Sequence, residues 1–182
     1  MPDYSYELKI PLARVAVVIG AKGSVKKEIE EATNTSIQID SAEGDVFITG
    51  DDALGLYTAR EIVSAIGRGF NPEIARMLLK PDYTAEHIAI DDYAKTKKHE
   101  TRIKGRVIGS EGKARKIMEE LTDCHVSVYG KTITLIGETE KVPVCRIAIE
   151  KLLNGSQHST VYRWLEKQRS EMKRKRAMSG FD

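Results

Sequence analysis

The sequence predicts an α+β protein: two small domains in tandem, each a three-stranded sheet packed on helices, followed by a basic C-terminal helix. Three observations lead there. The segment VIGAKGSVKKEIEEATNTSIQI, from Val18, returns as VIGSEGKARKIMEELTDCHVSV from Val107, aligned without a gap at an offset of 89 residues. The copies share the Val-Ile pair, both glycines, Lys27/Lys116, Glu30/Glu119, Glu31/Glu120 and Thr33/Thr122. A supersecondary unit repeated at that spacing makes a tandem of two domains, and each is long enough to bury a small core. Around each copy, alternating and helical-period runs follow the order strand, helix, loop, helix, strand, strand, helix.

In the first copy Tyr6, Leu8 and Ile10 alternate with charged residues, a half-buried strand stopped by Pro11. Arg14 to Ile19 is apolar and reads as one helical segment ending at Gly20. Ser24 is an N-cap candidate for a helix carrying Val25 and Ile29, closed by Asn34. Ile37 and Ile39 mark a second strand, and Val46, Phe47 and Ile48 a third. Asp52 caps a long helix with Leu54, Tyr57, Ile62, Val63 and Ile66. Gly67 to Pro72 is a break, and Pro72 suits the first turn of a short helix, Glu73 to Leu79. The expected divisions are a first domain at 1–70, a helical linker at 71–82, a second domain at 83–155 and the basic helix and tail at 156–182.

The second copy opens with a strand from Glu86 to Asp91, and DDYAKTKKHE reads as an inserted polar loop. Val126 and Val128 pair with Ile133 and Leu135 across a turn at Tyr129-Gly130-Lys131. A core helix beginning at Glu140 or Val142 runs to Leu153, with Pro143 in its first turn. The final helix puts Val161, Trp164, Leu165, Gln168 and Met172 on one face, so its first half packs on the body.

Composition excludes several classes. No run of apolar residues is long enough to span a bilayer, and the N-terminus reads as a strand and not as a signal peptide. Two cysteines, Cys124 and Cys145, without ligand-like spacing fit a reduced, cytoplasmic home. No cofactor or metal is expected. Cys124-His125 lacks further ligands at a useful spacing. Gly112-Lys113 fails as a P-loop, since Val107 stands where glycine is needed and Ala114 replaces Ser/Thr. His87, His99 and His158 have no nucleophile partner, so the chain reads as a non-enzyme.

The net charge of +2 hides a segregation. Residues 95–116 hold nine Lys/Arg against Glu100 and Glu111, and residues 163–176 hold seven against two. Residues 40–52 carry five acids (Asp40, Glu43, Asp45, Asp51, Asp52) and no base. A Gly-x-x-Gly turn entering a helix lets the backbone approach phosphates and presents a positive helix end to them. For Lys104, Arg106 and Lys113 that loop favours phosphate contact over a merely solvated face. Lys95 to Lys98 and Lys173 to Arg176 read equally well as nonspecific RNA affinity or plain solubility.

With their strand pairs and long helices, VIGAKGSVKKEI and VIGSEGKARKI resemble the type I KH fold (βααββα). The whole chain, including the VYGKTITLIG hairpin and the basic tail, resembles the archaeal tandem-KH proteins of the partner-of-Nob-one family. That resemblance implies a ribosome biogenesis factor that binds the 3′ end of small-subunit (16S) ribosomal RNA during maturation. It also implies contact with the alpha subunit of initiation factor two and with an rRNA-maturation endonuclease.

A KH unit clamps about four nucleotides with this loop. The expected RNA-binding set is Lys104, Arg106, Val107, Ile108, Gly109, Ser110, Glu111, Gly112, Lys113, Arg115 and Lys116. Ala114 and Ile117 would add to the groove floor, with Val126 and Val128 as its wall. Glu111 either points outward or accepts a base amino group. Gly20, Ala21, Lys22, Gly23, Lys26 and Lys27 form a secondary site for RNA or a partner. The alternative function is a protein adaptor, with the acidic 40–52 stretch docking a translation or processing factor and RNA secondary.

Overall fold

The structure, a computed structural model, describes residues 3–180. The expected domain ends at 1–2 and 181–182 lie outside the described residues. The chain divides into two compact units, residues 1–85 and 86–182. The first contains β1 (Tyr4–Lys9), α1 (Leu12–Ile19), α2 (Ser24–Thr33), β2 (Thr35–Ile39), β3 (Asp45–Gly50) and α3 (Ala53–Gly67). Its antiparallel sheet has the order β1-β3-β2. The same pattern returns with β4 (Tyr83–Ala89), α5 (Lys97–Ile108), α6 (Lys113–Thr122), β5 (His125–Tyr129), β6 (Thr132–Glu138) and α7 (Val142–Leu153), sheet order β4-β6-β5. This is the expected pair of βααββα units. Among the described residues, no helix is long and apolar enough to cross a membrane.

The identities shared by the copies are explained by bonds that recur. Glu30 accepts from the Ile37 amide at 2.7 Å, and Glu119 from the Val126 amide at 2.8 Å. Each carboxylate thereby binds an amide on the outer edge of its edge strand. Thr33 and Thr122 donate to the carbonyls of Ile29 and Met118, both at 2.6 Å. Asn34 and Asp123 then leave the helices with φ of 52° and 53°, a left-handed exit that Asn and Asp tolerate.

A second recurrence was not legible in the repeat. Arg14 of α1 donates to the carbonyls of Ile66 (2.8 Å) and Phe70 (2.7 Å). Arg106 of α5 donates to those of Leu152 (3.1 Å) and Ser156. In each unit an arginine of the first helix adds a donor to carbonyls in the last turn of the third helix and just beyond it, and so ties down the chain where it leaves that helix. The two arginines stand at different positions of the aligned copies, so the sequence comparison passes over them.

Several expected boundaries move. The DDYAKTKKHE segment is not mostly loop: a 3-10 turn at Ile90–Asp92 ends the strand, and KKHE already belongs to α5. Thr96 caps that helix by accepting from the His99 amide at 3.2 Å, and Ile103 and Val107, four apart, bury its inner face. Ser24 does not cap α2; Gly23 occupies that position and no side chain caps the helix. Asp52 does cap α3, accepting from Gly55 at 2.7 Å. The short helix is α4 (Pro72–Ala75), capped by Asn71, continued by a 3-10 turn at Arg76–Leu79 and packed on α3 within the first unit.

The last helix, α8 (His158–Ser179), packs on α6 and α7. Val161 and Leu165 are buried in the second unit's core, with Trp164 half-buried against it. The ammonium of Lys151 lies 5.3 Å from the Trp164 ring centre, a packing anchor with a cation over its face. This docking explains a difference between the copies. On α2, Glu28 and Ala32 are exposed, and Glu28 pairs with Arg76. The aligned positions on α6 are Ile117 and Leu121, both half-buried, and Leu121 lines a small cavity of about 90 Å³ with Arg169 and Met172 of α8.

Candidate nucleic-acid interface

Each Gly-x-x-Gly segment folds into the same backbone shape. Gly20 and Gly109 have φ/ψ of 73°/176° and 74°/174°. Lys22 and Glu111 take φ of 54°, and Gly23 and Gly112 take 77° and 75°. The two glycines of each loop serve different ends. A Cβ on Gly109 would stand 2.6 Å from both the backbone nitrogen and the Cβ of Ala114, and one on Gly20 2.5 Å from a Val25 methyl. The first glycine is therefore required by the helix packed against it. A Cβ on Gly112 or Gly23 would meet nothing within 4 Å, so the second glycine borders open space.

The Gly112 amide bonds the Gly109 carbonyl at 3.3 Å, and the Lys113 amide bonds that of Ser110. The Ser110 and Glu111 amides have no partner among the described residues. Consecutive free amides beside a left-handed residue form a concavity suited to an anionic oxygen.

Of the basic residues expected here, Lys113 and Lys116 are exposed on the outer face of α6. Lys104 pairs with Glu100 one turn earlier on α5. Arg106 is not directed at a ligand, because its guanidinium is bound to the carbonyls of Leu152, in the last turn of α7, and Ser156, just beyond it. The Nε of Arg115 is buried without a hydrogen-bond partner among the described residues. Glu111 is exposed at the loop tip. In the first unit Lys22 and Lys27 are exposed and Lys26 pairs with Glu30 at 3.5 Å.

Val107, Ala114 and Val126 are core residues, and Ile117 is half-buried on α6. Ile108 and Val128 remain half-exposed. β5 is an edge strand, and its Val126 amide points away from β6 to Glu119. Strand alternation puts the amide and carbonyl of Val128 on that same free edge, where they can read the polar edge of a base.

The acidic stretch of the first unit is largely occupied by local structure. Asp40 accepts from the amides of Ala42 and Glu43, Asp45 pairs with Lys9 at 3.3 Å, and Asp52 is the α3 cap. The basic tail is partly neutralised too: Arg176 pairs with Glu138 at 2.6 Å and with Glu140. Hydrogen bonds from Lys141 and Arg176 hold the Glu138 carboxyl below its ordinary range. Among the described residues no His, Cys, Asp and Glu side chains gather into a metal-binding group.

Fold and loop geometry together define a tandem KH-type module. Residues 84–170 match the eukaryotic type KH domain (KH-domain type I), and residues 5–65 match the KH domain. A KH domain-containing protein of Methanocaldococcus jannaschii is 49% identical over 96% of this chain and 78% of its own length. Dim2p from Pyrococcus horikoshii OT3 superposes with a TM-score of 0.85 at 46% identity, covering 91% of this chain and 99% of that one. The same protein in a complex described as a/eIF2alpha-aDim2p-rRNA gives 0.86 at 45%, covering 92% and 95%. A protein of unknown function from Aeropyrum pernix gives 0.93 at 35%, covering 100% and 98%. The chain belongs to the KH-domain family, as a tandem protein whose second domain is of the partner-of-Nob-one type.

Proposed function

We propose that the chain is a non-enzymatic, cytoplasmic ribosome biogenesis factor that holds single-stranded RNA, the 3′ region of small-subunit ribosomal RNA, while that RNA matures. The observation that carries this reading is the second loop. There the free Ser110 and Glu111 amides, the open side of Gly112 and the exposed Lys113 and Lys116 lie together at the start of α6, the helix whose Glu119 binds the free edge of β5. The phosphate backbone lies on the loop and α6, and bases lie against Ile108 and Val128. The rRNA complex of the Pyrococcus relative supports the substrate class, and the same complex supports the initiation factor's alpha subunit as a partner. The resemblance adds an rRNA-maturation endonuclease working beside it.

The adaptor reading, with RNA secondary, is not favoured. Three of the five acids that motivated it are taken up by turns, a cap and an ion pair within the first unit. The first loop, with Lys22 and Lys27, is a secondary site. Titration of a labelled RNA from the small-subunit 3′ end against a scrambled control tests the reading. Preferential, salt-sensitive binding supports it; equal, weak binding to both sequences overturns it.

A further inference from the structure

In the first unit's sheet the order β1-β3-β2 leaves β1 an edge strand. The Ile10 amide donates to the Gly44 carbonyl at 2.9 Å, continuing the register that pairs Lys9 with Asp45. Bonding alternates along an antiparallel pair. Tyr4, Tyr6 and Leu8 therefore bond β3, while Ser5, Glu7 and Lys9 turn their amides and carbonyls to the open edge. All three are exposed, and so is Asp3 just before the strand. Lys9 bonds Asp45 at 3.3 Å, yet its side chain stays 65% exposed. The edge also has an aromatic border. A Cβ on Gly67 of α3 would stand 2.8 Å from an Ile10 methyl, and the Arg60 guanidinium lies 4.3 Å from the Tyr6 ring centre. The helix thus runs alongside β1, and Tyr57, one turn before Arg60, lies towards Tyr4. Tyr4 and Tyr57 are 47% and 53% exposed, and Leu8 is half-exposed.

We propose that two copies of this chain pair antiparallel through β1, about a two-fold axis at Tyr6. Two registers keep five residues of the strand paired and set its free groups against each other. An axis at Glu7 would place Glu7 directly opposite Glu7, which like charges disfavour. An axis at Tyr6 sets Tyr6 against Tyr6, Tyr4 against Leu8 and, at both ends, Asp3 against Lys9. Charges on an edge strand ordinarily blunt it against other strands; here they are complementary to a second copy and select one register. The contact is isologous, the commonest kind in homo-oligomers. It leaves the first loop open, because β2, the strand that Glu30 of α2 binds, is the opposite edge of the sheet. This inference stands apart from the RNA-binding reading.

The test uses the full chain without RNA, with thermal melting to confirm that each variant is folded. A strand pair is a small interface, so sedimentation should show monomer passing to dimer with half-association at roughly 100 µM. Asp3→Lys sets like charges opposite each other at both ends and should weaken the dimer about tenfold. Adding Lys9→Glu to it should restore association. Under diamide, Tyr6→Cys should cross-link faster than Glu7→Cys, because only residue 6 lies opposite its own copy, at a separation a disulfide can span. A chain that stays monomeric up to about 1 mM overturns the proposal. So does a dimer that Asp3→Lys leaves intact, or one in which Glu7→Cys cross-links the faster.

Discussion

Replacing each glycine of the second loop by alanine separates what the fold needs from what a ligand needs. Gly112 (φ 75°, ψ 13°) lies in the left-handed region, where an L-residue costs about 1–2 kcal/mol, and Gly109 (φ 74°, ψ 174°) lies in a region that is essentially glycine-only, where the cost is at least about as large. The alanine recovers roughly 0.4–1 kcal/mol by restricting the unfolded chain. Gly112→Ala, with open space around its new methyl, should thus lose about 1 kcal/mol. Gly109→Ala adds an overlap at 2.6 Å with the backbone nitrogen of Ala114, which a side-chain rotation cannot relieve. Overpacking of that kind costs roughly 1–3 kcal/mol more. At roughly 4 °C per kcal/mol, Gly112→Ala should lower the melting point by about 4 °C and Gly109→Ala by about 8–16 °C. Trp164, the single tryptophan, packs against the second unit's core, so its fluorescence reports the unfolding of that unit. Equal losses in the two variants would refute the division of labour between the glycines.

Three further outcomes follow from the geometry. Arg106→Met should lower the same melting point by several degrees, having removed donors from the Leu152 and Ser156 carbonyls, while the salt dependence of RNA binding stays unchanged. Glu119→Ala should cost about 1–3 kcal/mol, as the Val126 amide loses its partner at the strand edge. The Glu138 carboxyl sits below its ordinary value of 4.5, so its contribution is present above that pH and is lost as pH falls through the lower folded value. The stability gap between wild type and Glu138→Gln should therefore be open at pH 7 and close in acid.

The repeat made both units, their element order and the two loops legible, because glycine pairs and hydrophobic spacing are local signals. It also pointed to Glu30/Glu119 and Thr33/Thr122, whose roles became clear only from their partners. What stayed hidden depends on contacts distant in sequence. Arg106 looked like a phosphate ligand because it precedes a glycine loop, yet its guanidinium is committed to carbonyls 46 and 50 residues away. The acids of 40–52 looked like a docking surface because a charge count does not register that Asp40 braces a turn and Asp52 caps a helix. Leu121 has no evident partner in the repeat, because α8, which packs beside it, has no counterpart in the first copy. The start of α5 was missed because its first turn is charged throughout, and only the Thr96 cap and the buried Ile103 show that the helix has begun.

If the second loop grips RNA, acid placed on it must weaken binding. Acidic residues in the first turn of a helix suit its dipole, so Ser110→Asp/Lys113→Asp should leave the second unit folded while repelling phosphate. Ala21→Asp/Ser24→Asp makes the matching change in the first loop. Anisotropy of a labelled small-subunit 3′ RNA across a salt series decides between them. The second-loop variant should lose at least about tenfold in affinity and show a shallower salt slope, with a change under about twofold for the first. Wild-type affinity in the second-loop variant, with its fold intact, would contradict RNA binding by that loop.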